Sequence, residues 1–391
     1  MIYLDAAASS RVTDKVINDI TWCLKNVQGN PSSPHSEGHK AKLLLEESRK
    51  KVADFINAEP EEIIFCSSGS EANNLAIRGY LDSHWICDCI ITTNIEHPSV
   101  LNTCKMYETS HRVEYALVDS EGRVDLSKFH KLISALSYKY FCFVTIMLAN
   151  NEIGTIQPIK EIAREVHRLG GVLHVDATQA VGNILVDVKD LDCDMLTFSS
   201  HKVGCPRGIG VLYKKRSLNI EPLVYGGHQE RGYHAGTENV AMIYALGNQL
   251  DRIKAKKFPN IFETSLKRSL LFSNISLICM ELGIECIENG GTEILPNILS
   301  LTLKGIDAAE LITLLDEQGI CISAGSACSS GEKVPSRILK AIGLSDEDAL
   351  STIRISIGHE TTIEECDEFI VALKWALTLL KMVDVKEIPN N

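Results

Sequence analysis

Between about residue 60 and residue 215 the chain alternates short β-rich apolar runs with stretches of helical length. The runs are EEIIFCSS, CIITTNIE, KYFCFVTIML, GGVLHVDA and DMLTFSS. Strands separated by helix-length segments form βαβ units, so this rhythm predicts an α/β fold with a mostly parallel sheet and helices on both faces. One crossover helix is readable over Glu161 to Leu169, where Ile162, Val166 and Leu169 share a face and Gly170-Gly171 stop it. A charged stretch at Lys254 to Lys257 ends the pattern. Beyond it, ILPNILSLTL and STIRISIG flank amphipathic helices such as Ala308 to Glu317, which predicts a smaller α+β domain. The expected division is an N-terminal segment 1–15 packing with the small domain, a large domain 16–255 and a small C-terminal domain 256–391.

At 391 residues, two soluble domains are the natural prior. A net charge of -12 argues against non-specific nucleic-acid binding, and no direct nucleic-acid partner is expected. The opening MIYLDAAASS lacks the basic and apolar regions of a secretory signal, and no apolar run is long enough to span a bilayer. Thirteen irregularly spaced cysteines cannot all pair, which points to a reducing, cytoplasmic setting. Cys87-Asp88-Cys89 lacks zinc-site spacing, so no metal centre is expected.

In open α/β sheets ligands sit beyond the carboxyl ends of the strands. There, CSSGSEANNLAI places Ser68, Gly69 and Ser70 where backbone N–H groups can cradle a phosphate, or simply cap a helix through a glycine turn. HVDATQA puts Asp176 at a strand end with Gln179 three residues on; the carboxylate is a solvated charge, a cap, or the partner of a protonated heteroaromatic nitrogen. TFSSHK presents Ser199, His201 and Lys202, and a lysine there either captures a carbonyl cofactor or is merely solvated. His97 in NIEHPSV can stack on a planar group, move protons near it, or pack. Asn151 in NNEIG is a ring-hydroxyl ligand or a turn residue. Cys328 sits in SAGSACSSGEKVPS, whose small residues leave a thiol free to approach a substrate. The fork of Arg354 in TIRISIG can grip a carboxylate or form an ordinary ion pair.

Together with YLDAAA, GNPSSPHSEG, IEHPSVL, NNEIGTIQPI and GGHQERGYHAGTEN, these motifs resemble those of the cysteine desulfurases, in the nitrogen-fixation and iron–sulfur group of the class V aminotransferase family of fold type I pyridoxal-phosphate enzymes. The resemblance runs through nearly the whole chain. It implies a large domain with a mostly parallel seven-stranded sheet, and a homodimer. Its cofactor would be pyridoxal 5'-phosphate, with Lys202 as the Schiff-base lysine, Asp176 the pyridinium partner, and Gln179 and Asn151 the ring-oxygen ligands. Gly69, Ser70, Ser199 and His201 correspond to the phosphate site, joined by Thr237 from the second subunit. His97 corresponds to the stacking, proton-transferring histidine, Arg354 to the carboxylate clamp and Cys328 to the nucleophile.

The implied reaction takes sulfur from L-cysteine, giving L-alanine and a persulfide on Cys328 for an acceptor protein serving iron–sulfur assembly, tRNA thiolation or DNA phosphorothioation. A selenocysteine lyase, or a non-catalytic docking platform in a sulfur-modification complex, is the alternative. Ala6, Ser200, Gly204, Cys205, His234 and His359 depart from the family's usual pattern.

Overall fold

The computed structural model describes residues 1–84, 87–256, 259–324 and 334–386. The chain opens with a short strand, β1 (Ile2–Tyr3), and two helices, α1 (Asp14–Asn26) and α2 (Ser36–Ile56). Seven strands then build the main sheet: β2 (Ile63–Cys66), β3 (Cys89–Thr93), β4 (Arg112–Ala116), β5 (Cys142–Met147), β6 (Val172–Asp176), β7 (Met195–Ser199) and β8 (Gly210–Lys214). Their order is β2-β8-β7-β6-β5-β3-β4. Only β8 runs against its neighbours, so the mostly parallel seven-stranded sheet expected from the sequence is observed.

Both faces of this sheet are covered, and successive residues feed two different cores. Ile63, Phe65, Val144, Ile146, Leu173, Val175, Leu196 and Phe198 point to one side, where α2 and the helices Leu126–Ser137, Ile159–Arg168 and Val240–Lys256 lie. Ile64, Cys66, Ile90, Phe143, Val172, Met195 and Leu212 point to the other, under α3 (Gly69–Ser83) and α4 (Pro98–Met106). A strand buried on both faces reads as a continuous apolar run, which is why five were visible in the sequence. β4 escaped because it is an edge strand with Arg112 and Glu114 on it, and β8 was not read either, its short run lying between Gly210 and the Lys214-Lys215 pair although it is buried. The helix read over Glu161 to Leu169 spans Ile159–Arg168, with Gly170 in the left-handed region at φ 75° just past its end.

A second sheet, in the order β12-β13-β10-β9, is antiparallel and comprises β9 (Cys286–Glu288), β10 (Ile298–Leu303), β12 (Ser323–Ala324) and β13 (Thr352–Ser356). Helices Pro259–Leu282, Ala308–Glu317 and Ile363–Lys386 pack on it around Leu299, Leu301, Ile353, Ile355 and Phe369. Ile2 and Leu4 belong to this second core, and β1 pairs in parallel with β11 (Ile320–Cys321). No helix among the described residues is long and apolar enough to cross a membrane.

Candidate active site

The parallel strands β2, β3, β5, β6 and β7 all end at one edge of the main sheet, and their next residues form a common cleft. At one end of it α3 begins. Ser68 caps this helix, its Oγ accepting from Glu71 N at 3.1 Å, so the N–H groups of the first turn open toward the end of β7. Gly69 is buried there, and a Cβ on it would lie 3.1 Å from Ser199 Cβ. Gly210 is indispensable to the same approach, because its missing Cβ would stand 2.0 Å from the Ser68 carbonyl oxygen. Ser70 is exposed on the first turn. Glu71 braces the turn, accepting from Ser67 N at 2.7 Å, with His234 Nε2 at 3.0 Å from its other oxygen. Thr237 is exposed on the chain that follows.

Past β7, a single 3-10 turn, Ser200–Lys202, brings the lysine back into the cleft. Lys202 Nζ donates to the carbonyls of Ala7 and Ala8 at 2.5 and 2.9 Å, and Gln179 Nε2 donates to the same Ala7 carbonyl at 3.0 Å. Burial, followed by the nearby Arg354 charge, lowers the Lys202 pKa to about 8 despite Asp5 and Asp176. A reactive share of neutral amine therefore exists near neutral pH. His201 beside it is held neutral by burial and by the Lys202 charge, at a pKa of about 4, and its Nδ1 lies 3.3 Å from Ser9 Oγ.

Asp176, the last residue of β6, is 5% exposed. Its Oδ1 accepts from Thr178 N at 3.0 Å and its Oδ2 from Asn73 Nδ2 at 2.8 Å. His97 caps α4: Ser99 N donates to its Nδ1 at 3.1 Å. The ring is open to solvent yet lies in a concavity crowded by protein, and this burial lowers its pKa, partly offset by Asp176. Arg354 leaves the middle of β13 and donates to Asp5 Oδ1 at 2.6 Å and to the Asn151 carbonyl at 2.9 Å. Asn151 thus meets Arg354 through its backbone. Behind it, Glu152 accepts from Ser336 Oγ at 2.5 Å, and Arg337 donates to the Glu96 carbonyl at 2.6 Å. Cys328 lies outside the described residues. Of the departures from the family pattern, Gly204 has φ 83°, while Cys205 is 1% exposed and pushed up to about 12 by burial.

The sequence reading missed Asp5, Asn73, Ser99 and Gly210. Each supports another group, and only position beside a motif could have flagged them.

The aminotransferase class-V family model matches residues 2–369. The chain belongs to this family. A cysteine desulfurase from Nostoc sp. is 40% identical over 374 residues, covering 95% of this chain and 91% of its own. Among solved structures, one described as a NifS-like protein superposes with a TM-score of 0.88 at 33% identity, covering 97% of this chain and all of the other (100%). Another, SspA in complex with cysteine, does so with a TM-score of 0.78 at 32% identity over 93% of this chain and 100% of that one. The family is pyridoxal-phosphate-dependent, and the cleft fits that cofactor: a helix start opened by Gly69 for the phosphate, a buried carboxylate for a pyridinium, and a lysine with a lowered pKa within reach of that carboxylate's charge.

Proposed function

We propose that the chain is a pyridoxal-phosphate-dependent cysteine desulfurase, and the observation that carries this reading is Lys202, a half-buried amine with a pKa of about 8, set in a cleft with the Asp176 carboxylate and the start of α3. When bound, the cofactor supplies the electron sink that accepts the pair released as the substrate's C–S bond breaks. Lys202 would hold the cofactor, and as a free amine its Nζ is able to take a proton. Asp176 and the first turn of α3 hold the two ends, with Gly69, Ser70, Ser199, His201 and Thr237 of a second subunit at the phosphate, and Gln179 and Asn151 at the ring. Arg354, pinned by Asp5 and the Asn151 carbonyl, orients the substrate carboxylate.

Cys328, in its Gly/Ser-rich segment, supplies the thiolate that forms an S–S bond to the substrate's sulfur. That sulfur leaves the carbon skeleton as a persulfide, and a proton delivered to the carbon completes L-alanine. Support comes from the 40% identity to a cysteine desulfurase and from the likeness to SspA, whose structure holds cysteine. The same reading makes the chain a cytoplasmic homodimer with a large domain 16–255 and a small domain 256–391 to which residues 1–15 attach, passing its persulfide to an acceptor protein.

The deciding experiment measures L-cysteine-dependent alanine formation. Cys328→Ser is expected to keep the yellow cofactor band but lose protein-bound persulfide and nearly all turnover, at least about 100-fold. Equal turnover in both proteins sinks the role of Cys328, and a colourless wild type that yields no alanine sinks the enzyme.

A further inference from the structure

The hydrogen bonds beside the candidate site run in one unbroken series from Asp176 to His97, and the chemistry of its members leaves a single arrangement of protons. A carboxylate only accepts, so the Asn73 atom 2.8 Å from Asp176 Oδ2 must be the amide nitrogen. The other end of that amide then faces Thr197, whose hydroxyl donates to Asn73 Oδ1. Asn73 Nδ2 also reaches Ser99 Oγ at 2.9 Å, so Ser99 accepts there. Its own hydroxyl hydrogen is left for His97 Nδ1, 2.7 Å away. The Ser99 backbone N–H, which can do nothing but donate, points at the same Nδ1 from 3.1 Å. Two donors converge on Nδ1, which therefore carries no proton, and the neutral ring must hold its hydrogen on Nε2.

We infer that Ser99 and Asn73 are positioning residues that fix His97 as an Nε2–H tautomer, so that His97 meets the reacting groups as a hydrogen-bond donor and not as a base. The inference rests on the desulfurase reading for what His97 faces, though not for the tautomer. Asn73 is 1% exposed and Thr197 fully buried, so solvent does not compete for the bonds that join Asp176, Asn73 and Thr197, while the Ser99–His97 pair at the end of the series is exposed. His97 is the N-cap of α4, and the same capping bond that starts the helix orients the ring. The charges facing His97 are Asp176, which favours its protonation, and Lys202 and Arg337, which oppose it, with His201 alongside. For His97 to gain a proton, Nδ1 must give up both donors.

The test uses holoenzyme labelled with 15N in histidine, with His97→Gln to assign the ring signals and L-cysteine-dependent alanine formation followed on the same samples. Two-bond 1H–15N correlations are expected to report the Nε2–H form of His97 across neutral pH. In Ser99→Ala the lost hydroxyl donor should raise the His97 titration midpoint by about 0.5–1 pH unit and weaken the preference for the Nε2–H form. Ser99→Thr, which keeps the hydroxyl, should restore both. Asn73→Ala should shift the midpoint in the same direction by less; should that buried change prevent folding, the serine pair decides. An Nδ1–H signal in the wild type, or a His97 midpoint unmoved in Ser99→Ala, overturns the inference. An intact Nε2–H signature in a protein that forms no alanine instead overturns the desulfurase reading and, with it, the donor role toward substrate.

Discussion

The most exacting residue in the cleft is Lys202, because the task proposed for it requires an uncharged amine at a pH where an ordinary lysine has almost none. Burial lowers its pKa to about 8. After the cofactor is stripped, the rate of its recapture should rise about tenfold per pH unit below 8 and level off above, since only the neutral amine attacks. Stopped absorbance traces of recapture check this; a rate still climbing tenfold per unit toward pH 10 would mean an unperturbed lysine. Arg354 is constrained differently, with its fork held at 2.6 Å by Asp5 and at 2.9 Å by the Asn151 carbonyl. Arg354→Lys keeps the charge and loses the planar fork. We expect KM for L-cysteine to rise roughly 10–100-fold with a smaller loss in kcat, because the lost contact serves the bound substrate as much as its reaction.

At the scale of elements, the cleft depends on how closely the start of α3 approaches β7 and β8. The approach is closest at Gly210, where a Cβ would stand 2.0 Å from a backbone oxygen that has no rotamer to yield. Gly210→Ala should displace the first turn of α3 and weaken cofactor binding by at least about tenfold, while the helical content of the protein stays intact; fluorescence titration of the stripped protein with pyridoxal phosphate measures it. The sequence disclosed α3 because CSSGSEANNLAI carries its cap, its glycine and its first-turn acid in order. It disclosed β6 and β7 because strands buried on both faces must be apolar throughout. Gly210 passed unnoticed, since a glycine demanded by a partner 142 positions earlier in the chain, at Ser68, has no local signature. Asp5 and Asn73 stayed silent for the same reason: their partners Arg354 and Asp176 are 349 and 103 residues away.

For the whole molecule, the same cleft sets how stability depends on pH. Glu96 is fully buried with Oε1 accepting from Thr93 at 2.6 Å and Oε2 unpartnered, and burial raises its pKa to about 8. Glu152, backed by Ser336, is raised to about 7, again chiefly by burial. Both carboxyls hold protons in the folded chain that the unfolded chain has released, so their contribution is complete below the usual carboxylate range and disappears as pH rises through 7 and 8. Half-buried His201 and buried His174, each lowered to about 4, act oppositely, adding stability as pH rises from there to the ordinary histidine range. Above pH 6.5 the histidines have finished and the carboxyls dominate, until Lys202, whose folded pKa is about 8, begins to favour the folded state at still higher pH. The stripped protein should therefore lose stability between pH 6.5 and 8. Glu96→Gln, which cannot ionise, should remove about 1 kcal/mol of that loss, visible in urea unfolding midpoints at the two pH values. The identical slope in wild type and variant would mean that Glu96 is already ionised in the folded chain, and its burial would then need a cation nearer than Arg337.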